Sequence, residues 1–180
     1  DFSGLMPGVD QNKTINYTTD VSSGTEDVWL VFPTDTDAQK LAYAEFTGAK
    51  GEFGYSDGGL GRFGHFAVSD SHGGLAFHSY NLANDPATNK PDCPADANGR
   101  GGSDAKPTSE TDTTTATYCG VPKAILLASN LVSGTNGTIT VTFGLTGKQT
   151  AQNQTEFSPN PVQYQIVGTQ HGIRPDAPNF

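Results

Sequence analysis

Charged residues, methionine, tryptophan and cysteine are all scarce in this chain of 180 residues, and each shortage narrows the class of protein. Only 16% of the residues are charged and there is a single Met, a composition that disfavours a bundle of helices. The 10 basic and 19 acidic residues give a net charge of −9, so nucleic acid and anionic membrane surfaces are poor partners. No apolar run reaches the roughly 18 residues of a membrane-spanning helix, so we expect no membrane insertion.

Glycine and threonine are abundant, at 22 residues each, which is typical of short strands joined by tight turns. The length suits one domain covering residues 1–180. Apolar and polar residues alternate in some segments, and others are continuously apolar, as in buried strands. Together they predict an all-β fold, an antiparallel β-sandwich of about seven or eight strands, jelly-roll or Ig-like. The alternating segments are 14–21, 139–145 and 162–167, and the continuous ones are 28–32 and 121–131.

Residues 34–46 are the exception to the strand pattern. They alternate tolerably as a strand, but they also contain a run of good helix formers from Ala38 to Glu45. We favour a short helix, with Asp35 or Asp37 as its cap.

The two cysteines, Cys93 and Cys119, flank a long polar loop. A disulfide between them would close the loop and contribute roughly 3–4 kcal/mol on the loop-entropy model. An even, minimal cysteine count in a chain of this composition favours an oxidising, extracellular compartment. The chain begins at Asp1, so we expect a mature or excised form, and residues 174–180 are typical of the start of a proline-rich linker.

A glycine-rich stretch in the middle of the chain predicts a β-hairpin. Its strands are expected at 61–69 and 74–81, with a tight turn at Asp70–Gly73. We expect the turn to be centred between Ser71 and His72.

That register places His65 directly opposite His78 on one face of the hairpin. Two such imidazoles could share a divalent metal such as Zn²⁺, with His171 as a candidate third ligand, or they could bind another ligand. His72 lies in the turn and is expected to point elsewhere. The alternative is a hydrogen-bonded pair of histidines with no metal.

Aromatic residues near loops are candidates for ligand recognition, because a flat apolar face combined with polar groups suits a sugar. Trp29 lies inside an apolar run and is expected in the core instead. Tyr55, Phe63, Tyr80 and Tyr118 border loops. The candidate ligand-binding residues are therefore Tyr55, Asp57, His65, Asp70, His72, His78 and Tyr80.

Two further patterns carry weaker hypotheses. The string Gly54–Gly58 matches the G-x-S-x-G motif around Ser56, but glycines follow it where a hydrolase needs a helix, so we interpret it as a loop. Short acidic clusters could hold Ca²⁺ in a loop, with solvated turns as the alternative. The carboxylates concerned are Asp35, Asp37, Asp57, Asp92, Asp96 and Asp104.

Four N-x-T sequons are candidate glycosylation sites if the chain passes through a eukaryotic secretory pathway. They begin at Asn12, Asn16, Asn136 and Asn153. Asn136 is expected in an exposed hairpin turn, which makes it the best acceptor.

These patterns favour a secreted or cell-surface, non-enzymatic module that binds a glycan or a protein receptor through loops at one end of the sandwich. In composition the chain resembles the receptor-binding domains of bacterial surface adhesins, a resemblance that transfers no individual residue. The first alternative is a structural subunit of a pilus, filament or coat, in which copies of the chain pair through their sheet edges. The second is a metal-dependent or serine hydrolase.

Overall fold

The computed structural model describes residues 8–20, 22, 24–46, 64–80, 96–103, 121–145 and 162–175. This part of the chain is mostly β and forms two sheets. One sheet has five strands in the order β1-β7-β3-β4-β5, and the other has three in the order β6-β2-β8. The strands are β1 Gln11–Thr18, β2 Glu26–Val31, β3 Gly64–Asp70, β4 Gly74–Ser79, β5 Gly101–Gly102, β6 Ala124–Leu131, β7 Asn136–Leu145 and β8 Gln165–Gln170, and the helix is α1 Asp37–Phe46.

Each segment predicted to form a strand contains one, with ends displaced by a few residues. In β7 the alternation is as expected: Ile139, Val141 and Phe143 are buried, and the threonines between them face outward. The continuously apolar β2 is the central strand of its sheet, paired with β6 on one side and β8 on the other. Pairing is antiparallel throughout except between β4 and the two-residue β5, which are parallel.

The core lies between the two sheets, because a single cluster of buried side chains draws members from both. Its largest apolar members are fully buried, so they supply most of the hydrophobic stabilisation. The three-stranded sheet and the residue after β2 contribute Val28, Leu30, Phe32, Ile125 and Leu127, and the five-stranded sheet contributes Phe66, Val68, Phe77, Ile139, Val141 and Phe143.

Helix α1 closes one edge of this core with aromatic side chains. Phe46 lies 5.4 Å from Phe32 and 5.8 Å from Phe66 between ring centroids, and the Tyr43 hydroxyl donates to the carbonyl of Val121 at 2.7 Å. The helix is confirmed, but its cap is neither of the predicted aspartates. Thr36 Oγ1 accepts from Gln39 N and Gln39 Oε1 accepts from Thr36 N, which is a capping box.

Arg100 connects the loop 96–103 to both sheets. Its guanidinium donates to the carbonyls of Leu126 (2.8 Å) and Leu127 (3.2 Å) in β6. It also donates to the carbonyls of Gly73 (2.8 Å), in the turn between β3 and β4, and of Leu75 (3.1 Å), in β4. One cation therefore satisfies four backbone acceptors that belong to different sheets.

Asp27 lies near the start of β2, where its side chain bonds groups from other parts of the chain. Although it is only 3% exposed, its carboxylate accepts from the backbone N–H groups of Asn130 and Gly172 and from His171 Nδ1 at 2.8 Å. Burial raises the pKa of Asp27, but Gly172, His171 and Asn130 outweigh it and hold this pKa below its ordinary value. Trp29 is in the core, as predicted, and its indole N–H donates to Thr169 Oγ1 at 2.9 Å.

Within the described ranges, no helix is long and apolar enough to cross a membrane.

Candidate ligand-binding site

The predicted histidine hairpin exists, but its register differs from the prediction. Asp70 pairs with Gly74 and leaves a three-residue loop centred on His72, with Gly74 at a positive φ of 68°. Ala76 is then an extra residue in β4, a bulge that shifts the pairing once more. His78 is therefore opposite Ala67 rather than His65.

The two shifts add up to two residues, which restores the original face of the strand. His65 and His78 consequently remain on the same outer face, as diagonal neighbours with ring centroids 6.4 Å apart and planes at 82°. Tyr80 takes the place next to His65 and stacks on its imidazole at 4.1 Å and 13°. The edge of the His78 ring meets Tyr80 at 6.0 Å.

Asp10 completes this group, which we call the imidazole–tyrosine cluster (Asp10, His65, His78 and Tyr80). Its carboxylate lies 3.0 Å from His65 Nδ1. The approach is possible because the residue beside His65 in β7 is Gly144, where any Cβ would collide with the Asp10 side chain. Neutral His65 must donate from Nδ1 to this carboxylate, which makes Nε2 an acceptor.

The side chains of the cluster differ in how deeply they are buried. The His65 side chain is 9% exposed, whereas His78 and Tyr80 are half-buried. His65 is therefore the most firmly held residue of the cluster. Asp10 contacts its Nδ1, and the Tyr80 ring stacks on its face. The half-buried rings offer apolar surface and polar edges together, the combination that recognises sugars and aromatic or polar peptide side chains.

The metal hypothesis gains no support from the described part of the chain, where no three His, Cys, Asp or Glu side chains are grouped to hold an ion. His171 does not join His65 and His78, because it lies after β8 in the other sheet and bonds Asp27. His72 points away as expected, with Nε2 at 2.8 Å from the carbonyl oxygen of Asn136.

Asp70 and His72, both predicted ligand-binding residues, lie at the opposite end of the hairpin from the imidazole–tyrosine cluster. Ser71 is six positions after His65, a distance of about 20 Å at the usual rise of a strand. Asp70 is buried, and its Oδ1 accepts from the backbone N–H groups of His72 (2.7 Å) and Gly73 (3.2 Å). This carboxylate shapes the turn, so the predicted set of ligand-binding residues divides between two ends of the sheet.

Asp37 and Asp96, two of the acidic residues considered for Ca²⁺, make local contacts instead. Asp96 Oδ1 accepts from Asn98 N and Arg100 N and so shapes its loop. Asp37 lies in the first turn of α1, 3.1 Å from Lys40 Nζ. Neither belongs to a group that could hold Ca²⁺ among the described residues.

Three of the four sequon asparagines lie on the outer face of the five-stranded sheet, and each is paired with a threonine of the neighbouring strand. Thr142 Oγ1 donates to Asn12 Oδ1 at 2.6 Å, Thr138 Oγ1 to Asn16 Oδ1 at 3.1 Å and Thr18 Oγ1 to Asn136 Oδ1 at 2.7 Å. Asn136 is the first residue of β7 rather than a residue of a turn.

Several predicted site residues lie outside the described residues. They are Tyr55, Ser56, Asp57, Phe63, Asp92, Cys93, Asp104, Tyr118, Cys119 and Asn153.

Two aspartate–histidine pairs, Asp10–His65 and Asp27–His171, resemble the orienting half of a catalytic triad. Within the described ranges, no Ser, Thr or Cys side chain hydrogen-bonds to either imidazole, so neither pair activates a nucleophile there. Asp10 and Gly144 were missed by the sequence analysis. The signal for them is the pairing register, which brings Gly144 beside His65 although the two residues are 79 positions apart in the chain.

No protein-family model, curated protein or solved structure matches the chain.

Proposed function

We propose that this chain is a secreted or cell-surface, non-enzymatic module that binds a glycan or a protein receptor. In this proposal the two sheets stack as a β-sandwich, and the ligand binds at the end of the five-stranded sheet that carries the imidazole–tyrosine cluster. Low charge, an acidic surface and the two cysteines, expected as a disulfide, agree with an extracellular location.

The observation that carries the proposal is the stack of Tyr80 on His65, with His78 edge-on beside it. Asp10 anchors the base of the stack, so the rings lose little conformational freedom when a ligand binds. A sugar ring or a peptide side chain gains apolar contact from the half-buried rings of His78 and Tyr80.

Binding of the purified chain to a glycan array and to a library of immobilised peptides tests this proposal. For a ligand found in this way, we expect Tyr80→Ala and His78→Ala to weaken binding about tenfold or more, as for a central contact residue. Leu75→Ala is the control, because it removes an exposed side chain of the same hairpin that does not belong to the cluster. Unchanged affinity in both cluster variants would place the ligand elsewhere and refute the site.

One observation favours the filament alternative as a second candidate. Among the strands that the structure describes, β1 is at the edge of the five-stranded sheet, and all eight of its residues pair with β7 without a bulge. A long, regular edge strand is a template for a strand from another copy. Light scattering over a concentration series tests this candidate: growth of ordered oligomers supports it, and a monomer at the highest concentration refutes it.

A further inference from the structure

A polar pocket of about 390 Å³ lies at the opposite end of the five-stranded sheet from the imidazole–tyrosine cluster. It is formed where β1, β7 and the β3–β4 turn come together. The lining residues are Asn16, Tyr17, Thr18, Ser71, Asn136, Gly137 and Thr138.

Two reciprocal side-chain pairs organise the pocket. Thr138 Oγ1 donates to Asn16 Oδ1 at 3.1 Å, and Thr18 Oγ1 donates to Asn136 Oδ1 at 2.7 Å. Each asparagine is thereby held by its oxygen. The Nδ2 groups of Asn16 and Asn136 have no hydrogen-bond partner in the described part of the chain, so two oriented pairs of N–H donors remain for a ligand.

The wall contributed by the β3–β4 turn is also held in place. Ser71 N donates to the carbonyl of Thr138 at 2.9 Å, and Thr138 N donates to Ser71 Oγ at 3.0 Å. His72 Nε2 adds a contact of 2.8 Å to the carbonyl oxygen of Asn136. The pocket is therefore preorganised, and little conformational entropy is lost when it is filled.

Gly137 leaves room for a neighbouring aromatic side chain. The Tyr17 ring lies across Gly137, in the space that a Cβ would occupy. The Tyr17 hydroxyl is buried, and burial together with the nearby Asp70 carboxylate raises its pKa. Tyr17 accordingly stays neutral under physiological conditions.

The chemistry of the lining selects the ligand. It contains amides and hydroxyls but no Lys, Arg, Asp or Glu, so an ionic ligand finds no opposite charge. An apolar ligand would remove water from these groups without replacing the hydrogen bonds, at a cost of about 1–3 kcal/mol for each group. A neutral ligand with several neighbouring hydroxyls can accept from the amides and donate to the oxygens.

We propose that this pocket binds one neutral sugar residue. Its volume is at the lower end of the range for small-molecule sites, which suits a single ring or the end of a glycan rather than an extended chain. The proposal goes beyond the function proposed above, because it assigns a separate site that shares no residue with the imidazole–tyrosine cluster. The two sites can therefore fail independently.

The test uses the full chain expressed in bacteria, so that no glycan is attached to the sequons. Methyl glycosides of glucose, galactose, mannose and N-acetylglucosamine are titrated at millimolar concentrations and followed by two-dimensional NMR. We expect at least one of them to shift the backbone signals of residues 16–18, 71 and 136–138 in a saturable way.

Asn16→Asp and Asn136→Asp are the decisive variants, because each keeps the oxygen that accepts from threonine and replaces the free NH₂ donor with an acceptor. We expect about tenfold weaker binding in either variant. Asn12→Asp is the matched control, since Asn12 makes the same bond to a threonine on the same face but does not line the pocket. It should bind within about twofold of wild type.

Three results would overturn the proposal. The first is that none of the four glycosides shifts the pocket signals of the wild-type chain, a measurement that needs no variant to fold. The second is that shifts occur only at the imidazole–tyrosine cluster, which would support the function proposed above but not this pocket. The third is that Asn12→Asp weakens binding as much as the two pocket variants.

Discussion

Replacing Arg100 by Met tests whether one cation joins the two sheets. Met has a similar length and keeps the packing of the aliphatic stem, but it donates no hydrogen bond. The substitution therefore leaves four carbonyl oxygens of β4, β6 and the turn between β3 and β4 without their guanidinium donors.

The expected loss follows from the lengths of the four bonds. The bonds of 2.8 Å to Leu126 and Gly73 are of good length for a charged donor, and we assign them about 1–1.5 kcal/mol each. The bonds of 3.2 Å to Leu127 and 3.1 Å to Leu75 are longer, and we assign them about half as much. The total is about 3–4.5 kcal/mol, which lowers the melting temperature of a domain of this size by about 6–18 °C.

Urea unfolding and calorimetry measure this difference directly. The midpoint should fall while the m-value stays constant, because the folded state loses bonds but exposes little new surface. Arg174→Met is the control: this guanidinium lies 5.5 Å from the ring of the buried Trp29, an interaction worth about 0.5–2 kcal/mol. A loss below about 1 kcal/mol for Arg100→Met would show that the four bonds do not join the sheets.

Three further predictions concern acid stability, packing and oxidation. Asp27→Asn should destabilise the protein by about 1–3 kcal/mol at neutral pH. The folded-state pKa of Asp27 is depressed, so its contribution to stability is complete above about pH 4 and is lost as the pH falls through that pKa. Urea titrations should therefore show that the difference in stability between wild type and Asp27→Asn shrinks in acid. A difference that stays constant with pH would contradict the assignment. Gly137→Ala places a methyl group against the Tyr17 ring and should cost about 1–3 kcal/mol by thermal melting, whereas a neutral result would mean that the ring moves aside freely. Native protein should carry a disulfide between Cys93 and Cys119, detected by mass spectrometry before and after reduction, and free thiols in freshly secreted material would count against it.

Local sequence patterns accounted for most of the elements of the fold. Alternation in β7 and the apolar run in β2 each report whether a strand is covered on one face or on both, and that information is contained in consecutive residues. Helix α1 was also predictable, but its cap was not, because Thr36, Asp35 and Asp37 are all good capping residues. The choice depended on Gln39, whose side chain completes the capping box with Thr36.

The same reasoning predicted only part of the candidate site. His65, His78 and Tyr80 stand out in the sequence, but their arrangement depends on a three-residue loop and a bulge at Ala76, each of which moves the pairing by one position. The sequence alone did not assign Asp10 to the cluster, or Asn16 and Asn136 to the pocket. Their partners are set by which strand lies next to which.

The amino-acid sequence by itself determined that this chain forms strands with one apolar face, since that depends on neighbours two positions apart. Only the tertiary structure decided that Asp10 meets His65 across Gly144, and that the sequons of β1 and β7 pair reciprocally beside the β3–β4 turn. The physical reason is that strand order and register are properties of the whole sheet. They are selected by burying one cluster of apolar side chains between two layers, and no short segment contains that information.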